Sequence, residues 1–225
     1  MHRGTLAGLF VALVSVLGAP ALSAGERAVA LRLGTLGFSL EGATSLTDRV
    51  GVRASGSLFS LGATETESDI TYDVDLKMRS LAGYVDLHPT GGAFRLTAGL
   101  LYNKNRIEAT AVPTSGTFEV DDVEYDASQV GTLEAVGRLG SRTVAPYLGL
   151  GFGSARGESP VFFAFDLGVV FQGSPTVELS ATGPLASNAQ FQSDLQAEEA
   201  QANEELAEPL LRYYPVLSLG IGVRF

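Results

Sequence analysis

Cysteine and tryptophan are absent from this 225-residue chain, and basic residues are scarce: 15 against 25 acidic, a formal net charge of −10. Without cysteine there are no disulfides and no thiolate metal sites. The shortage of positive charge argues against a nucleic-acid partner, which needs a basic face to release counterions. Long hydrophobic runs are missing too, apart from one at the amino terminus. Hydrophobic residues make up 45% of the chain and charged residues only 18%. Yet the longest later uncharged stretch dominated by apolar residues, Thr143–Ala155, falls short of the ~20 residues that a spanning helix needs. A membrane protein built from this chain has to cross with strands. What is abundant is glycine, at 27 residues.

The first 24 residues read as a signal peptide. His2 and Arg3 precede an apolar run, Leu6–Leu17, and Gly18–Ala24 supplies a helix break at Pro20 and small residues for cleavage. Cleavage after Ala24 or after Ser23 fits. Losing Arg3 leaves 14 basic and 25 acidic residues, so the mature charge is 14 − 25 = −11.

The last residues alternate strictly. Leu217, Leu219, Ile221, Val223 and Phe225 share one face, with Ser218, Gly220, Gly222 and Arg224 between them. A period of two describes a strand with one greasy face and one small or polar face. A soluble chain gains little by ending a hydrophobic strand at its last residue, where termini fray. A barrel needs it, because its final strand must pair with its first.

The same alternation recurs through the chain. It predicts spanning strands over residues 31–43, 49–61, 75–88, 94–103, 130–139, 144–154, 161–171 and 213–225. Each has about the ~9–11 residues of a tilted spanning strand. The 94–103 strand puts Phe94, Leu96, Ala98, Leu100 and Tyr102 on one face, with aromatics at both ends as two interfacial girdles require. Leu101 and Phe162 break their patterns. In the third strand the alternation slips near Ser80–Gly83, which suggests a bulge or bend.

Ser218–Phe225 resembles the closing strand of bacterial outer-membrane barrels, and Ala145–Gly153 resembles the small OmpA-like and OmpW-like barrels of that compartment. The resemblance implies a transmembrane, antiparallel up-and-down β-barrel of 25–225, placed in the bacterial outer membrane. It implies that Phe225 is the signal read by the barrel assembly machinery. It further implies a non-enzymatic role in envelope integrity, adhesion or passage of small hydrophobic solutes, with outer-membrane lipids as surroundings and the chain acting as a monomer.

A charge on the lipid face costs roughly 2–4 kcal/mol near the midplane. Glu41, Arg53, Arg95, Glu134, Arg138 and Asp166 all fall opposite the large apolar residues of their strands. They are therefore expected inside, as a paired lumen network, together with Lys77, Arg79 and Arg224. Eight strands leave a lumen that side chains fill.

The links pose a parity problem. With short turns on the periplasmic side, counting back from Phe225 makes Thr176–Ala181 a ninth crossing. Either a short first strand lies within 27–33 or the length rule fails. Eight strands is the reading taken, with ten the alternative.

Residues 188–208 read as one acidic amphipathic helix, started by Ser187 and Gln190 as a capping box and stopped by Pro209. It is expected on the barrel rim. Residues 117–125 read as a small hairpin turning at Asp121-Asp122. The acidic residues Glu119, Asp121, Asp122, Glu124 and Asp126 lack calcium-loop spacing. His88 is the one mature histidine and stands at a turn before Pro89. Without a nucleophile motif beside it, no catalytic, metal or cofactor site is expected, leaving a passive channel or a lipid A-modifying enzyme as alternatives.

Overall fold

The structure is a computed structural model that describes residues 26–67, 70–113, 116–121 and 123–225. The expected signal peptide, 1–24, lies outside the described residues.

Eight strands close into an antiparallel barrel. They are β1 (Arg27–Gly34), β2 (Gly37–Ser45), β3 (Val50–Glu67), β4 (Ile70–Leu87), β5 (Phe94–Asn103), β10 (Val144–Phe152), β11 (Val161–Phe171) and β13 (Tyr213–Arg224), in that order around the wall. The seam between β1 and β13 runs from Ala28 opposite Arg224 to Gly34 opposite Ser218. Main-chain bonds between Arg27 and Phe225 finish it. Arg27 and Phe225 therefore lie at one end of the barrel, with the links 46–49, 88–93 and 153–160. No helix among the described residues is long and apolar enough to cross a membrane.

The count of eight holds, but two of its members differ from those read in the sequence. The segment 31–43 is not one strand. It is the hairpin of β1 and β2, turned at Thr35-Leu36, and all of β1 follows a clean alternation from Arg27 to Leu33. This strand occupies the 27–33 stretch offered as a short first strand, while Thr176–Ala181, counted there as a ninth crossing, is not one. The segment 130–139 is not a crossing. Its strand, β9 (Leu133–Arg138), lies beyond the barrel, between β6 (Arg106–Pro113) and β12 (Thr176–Ala181).

These three strands prolong the wall. β6 leaves β5 after a break at Lys104-Asn105 and pairs with the upper half of β4, from Arg106 opposite Lys77 to Pro113 opposite Ile70. β9 pairs with β6 and leads down into β10, while β12 pairs with β9 and continues β11. On this sector the barrel rises as an open half-cylinder well past its rim. At the break, Asn105 replaces ladder bonds with its side chain: its Oδ1 accepts from the Arg79 amide at 2.8 Å.

The two faces of the wall exchange chemistry at the rim. Below it, the outward residues are apolar and exposed: Leu31, Phe38, Val85, Leu100, Leu148, Phe163 at 80% and Leu219 among them. The inward residues there are polar or small. Above it, without any break in the β3–β4 register, the inward residues of β4 are Leu76, Val74 and Tyr72, and the outward ones are Lys77, Asp75 and Asp73. β3 changes at the same level: Arg53, Ser55 and Ser57 face in below, then Phe59, Leu61 and Ala63. So the irregularity near Ser80–Gly83 is no bulge. Pairing is continuous from Val50–Leu87 to Glu67–Ile70. An apolar outer surface suits hydrocarbon, and an apolar inner surface suits water outside. The level of exchange, between Leu81 and Arg79, marks where the wall leaves the bilayer.

A small module caps the prolonged wall. It comprises the hairpin of β7 (Thr117–Val120) and β8 (Val123–Asp126), the one-turn α1 (Ala127–Val130) and helix α2 (Ala189–Glu205). Val120, Val130, Phe191 and Leu195 are buried together and pack on Leu133, Leu179 and Ala181 of the inward face. The helix starts one residue later than expected: Asn188, not Ser187, is the cap, its Oδ1 accepting from the amides of Gln190 and Phe191 at 2.9 and 3.1 Å. It docks on β12 and the β7–β8 hairpin instead of lying along the rim.

Candidate functional site

The barrel lumen is the one place where the spanning wall collects charge. Three strands supply arginines and three supply carboxylates. Arg32 comes from β1, Arg53 from β3 and Arg95 from β5; Glu41 comes from β2, Asp86 from β4 and Asp166 from β11. All six are buried, Arg95 at 2% exposure being the most enclosed. Alternation aims each inward, and barrel closure brings them to one level.

Each group has more than one partner. Glu41 bridges Arg32 at 2.9 Å and Arg53 at 2.6 Å. Asp86 takes Arg53 in a fork, Nε to Oδ2 at 2.5 Å and Nη2 to Oδ1 at 3.1 Å. The Thr97 hydroxyl donates to Asp86 at 2.6 Å. Asp166 accepts from Arg95 Nη2 at 2.7 Å and is paired with Arg32 as well. Arg53 also stacks 4.8 Å over the Tyr84 ring. Arg95 bonds the Gly153 carbonyl. Its Nε, 3.6 Å from Asp86, is the one buried side-chain polar atom without a partner among the described residues.

Three positive and three negative groups make the network neutral. That matters because each ion's desolvation cost in a low-dielectric interior is several kcal/mol and is offset only by close, complete pairing. Gly151 makes the closeness possible: a Cβ there would stand 2.6 Å from Asp166 Oδ1 and 3.2 Å from Arg95 Nη2.

Above the ions lies a second seal. Leu36, Ala82, Leu101, Ala145, Tyr147, Val170 and Val216 are buried together, with Tyr84 and Tyr214 against them. Tyr84 and Tyr147 meet edge to face at 5.2 Å. The cavities left on either side of the network are about 30 and about 20 Å³. Each has room for about one water molecule.

No protein-family model matches the chain, and no curated protein matches it. Among solved structures, Acinetobacter baumannii CarO2 is similar at 17% identity and a TM-score of 0.57, covering 89% of this chain and 98% of that one. Acinetobacter baumannii CarO is similar at 19% identity and a TM-score of 0.54, covering 89% and 97%. The fold is that of a small outer-membrane β-barrel. The apolar outer band, the sealed seam and the eight-strand order are those of such a barrel, and an outer-membrane setting accords with all three.

Of the six charged residues singled out from the sequence, four meet in this network: Glu41, Arg53, Arg95 and Asp166. The other two do not. Glu134 and Arg138 lie on the outer face of β9, exposed, where Arg138 pairs with Glu178 at 3.2 Å. The reason is the exchange of faces: beyond the rim, polar residues turn outward. Lys77 pairs with Glu108 on that same outer face, and Arg79 is exposed there. Arg224 stays at the terminal end, 4.4 Å over Phe162.

Two network members were missed. Arg32 lies inside the segment read as the first strand but was placed on neither face, although Val29, Leu31 and Leu33 alternate with it. Asp86 is hidden because Leu76 and Met78, apolar residues above the exchange, stand on its own face of β4 and make that face look like the lipid side. The apolar seal was missed as a unit, since Leu101 appeared only as an exception.

His88 is buried at the terminal end, its Nδ1 2.8 Å from the Gly92 carbonyl within the 88–92 turn. The acidic residues 119–126 belong to the β7–β8 hairpin and α1 cap; Asp122 lies outside the described residues. Asp126 caps α1, accepting from the Ser128 hydroxyl at 2.6 Å and the Ser128 amide at 2.9 Å, and those bonds hold its carboxyl below the usual range. Among the described residues no cluster of three metal-ligating side chains occurs.

Proposed function

We propose that this chain is a monomeric, non-enzymatic integral protein of the outer membrane, a sealed frame that carries the prolonged wall and its helical module outside the cell for surface contacts. Outer-membrane barrels keep short turns on the periplasmic side and longer segments outside. By that rule the end holding Arg27 and Phe225 is periplasmic and α2 is external. Phe225, at the exposed end of the seam strand, takes the role of assembly signal for the barrel machinery, and membrane lipids surround the apolar band.

The observation that carries the reading is the double closure of the lumen, by the neutral ion network and by the Leu36–Tyr147 layer. A pathway for solutes would need both to open. Affinity then belongs to the segments beyond the rim, which a rigid scaffold positions.

Planar-bilayer recording tests the seal. Silence at all applied voltages is expected of the purified protein, and reproducible single-channel steps would overturn the reading in favour of a channel. A Glu205→Cys variant tests the display: an impermeant maleimide applied to intact cells should label it, and protection from the reagent would overturn the external placement.

A further inference from the structure

The outer rim carries four cations that no carboxylate among the described residues meets. Arg79 lies on β4, Lys104 follows β5, Arg142 precedes β10, and Arg212 precedes β13. They stand on one arc of neighbouring strands. The Lys104 amide bonds the Arg79 carbonyl at 3.0 Å, the Asn103 amide bonds the Thr143 carbonyl at 2.8 Å, and the Arg142 amide bonds the Gln172 carbonyl at 2.9 Å. Gln172 Nε2 in turn reaches the Leu211 carbonyl, next to Arg212, at 3.5 Å.

All four side chains are exposed. None has an acidic group within 4.0 Å among the described residues. In a chain of net charge −10 that is unexpected, and the contrast with the level above is sharp. There, on the same outer face, Lys77 and Arg106 share Glu108, and Arg138 holds Glu178. Cations further from the membrane are neutralised by carboxylates; at its edge Arg142 and Arg212 donate to the Phe171 and Ala207 carbonyls, each at 3.3 Å, which leaves their charge unbalanced.

Their setting is interfacial. Lys104 Nζ stands 5.4 Å over the ring of Tyr102, an outward aromatic at the top of the apolar band. Arg212 ends a turn whose Leu210 is 80% exposed and whose next residue, Tyr213, faces outward. Greasy side chains beside unpaired cations, at the level where the wall exchanges faces, suit a surface that is apolar below and anionic above.

We propose that this arc binds the phosphate groups of a phosphorylated glycolipid in the outer leaflet, its acyl chains lying on the band beneath. The proposal rests on the external placement of the rim given above. Guanidinium groups take phosphate oxygens in pairs, and an ammonium adds a point charge. Each cation near an anionic membrane surface contributes roughly a fivefold factor in affinity.

The test uses the full mature protein in detergent micelles, titrated with bisphosphorylated lipid A and with the same lipid dephosphorylated. Wild-type protein should retain the phosphorylated form and lose the other. A variant with Arg79→Gln, Lys104→Gln, Arg142→Gln and Arg212→Gln should bind at least about 100-fold more weakly. The double variant Arg106→Gln, Arg138→Gln, on the paired level, should bind as wild type does. Millimolar inorganic phosphate should leave the lipid bound. Equal binding of both lipids, an unaffected fourfold variant, an equal loss in the double variant, or displacement by inorganic phosphate would each overturn the proposal. The single variants Arg79→Gln and Lys104→Gln, each with about a fivefold loss, keep the test decisive should the fourfold variant fail to fold. Heat-modifiable gel migration, read on every variant, reports the barrel itself, and impermeant labelling of Glu205→Cys reports sidedness, so failure of lipid binding is told apart from failure of the placement.

Discussion

Asp86 holds Arg53 by two hydrogen bonds and stands 3.6 Å from Arg95, so it balances charge for two strands at once. Deleting it leaves three buried guanidinium groups facing two carboxylates. We expect Asp86→Ala to destabilise the barrel by about 3–5 kcal/mol, the range for breaking a buried pair from one side. Urea unfolding from lipid vesicles measures this; a loss below 1 kcal/mol would mean the network is solvated. The exposed pair Arg138–Glu178 is the internal control, and Arg138→Ala should cost less than about 1 kcal/mol. From the sequence, Asp86 and Arg138 look alike: each is a charge within an alternating segment. What separates them is the solvent on the far side of the wall, which no single strand states. Glu41, Arg95 and Asp166 were legible because their strands lie within the bilayer, where one rule holds along the strand, and Arg53 because it sits in the lower half of β3, below the exchange.

Strand β12 is an edge of the prolonged wall, and open edges invite pairing with other chains. Helix α2 closes it with side chains. Asn203 acts as a stand-in strand: its Oδ1 accepts from the Val177 amide and its Nδ2 donates to the Val177 carbonyl, both at 2.9 Å. Glu199 accepts from the Leu179 amide at 2.9 Å. We expect Asn203→Ala to weaken the edge by roughly 1–3 kcal/mol, read as faster hydrogen exchange at Val177 with no change at β11. Unchanged exchange would show that the edge is held by other means. The helix is fastened on its other side by Tyr125, whose hydroxyl donates to Asp194. That bond pushes the phenol up from its ordinary value near 10 to about 12. A raised value in the folded state stabilises docking fully below pH 10 and is lost as pH climbs through 12. Detachment of the module over that interval, followed by proteolysis of α2, is therefore expected, and Tyr125→Phe should abolish this dependence. The helix was plain in the sequence from its acids and Pro209. Its dock was not, because Asn203 and Glu199 look like any solvated polar residues until an edge is placed beside them.

The barrel itself follows from one pattern repeated around a closed wall. Eight crossings emerge although two strands were read as one in the sequence and another was wrongly included. β1 was merged with β2 because its turn, Thr35-Leu36, carries a residue that folds into the lumen mouth instead of a run of turn formers. β9 was included because a half-cylinder standing in water alternates just as a spanning strand does, with the faces reversed. The reversal, at one height on β3 and β4, is what sets the upper edge of the bilayer on this molecule. Fluorescent labels placed one at a time at the outward positions of β4, with quenching by brominated lipid chains, measure that edge. Val85, Gly83 and Leu81 should be quenched strongly, and Lys77, Asp75 and Asp73 not at all, with the change falling at Arg79. Quenching of Asp73 and Asp75 to the degree of Val85 would contradict a wall that leaves the membrane there.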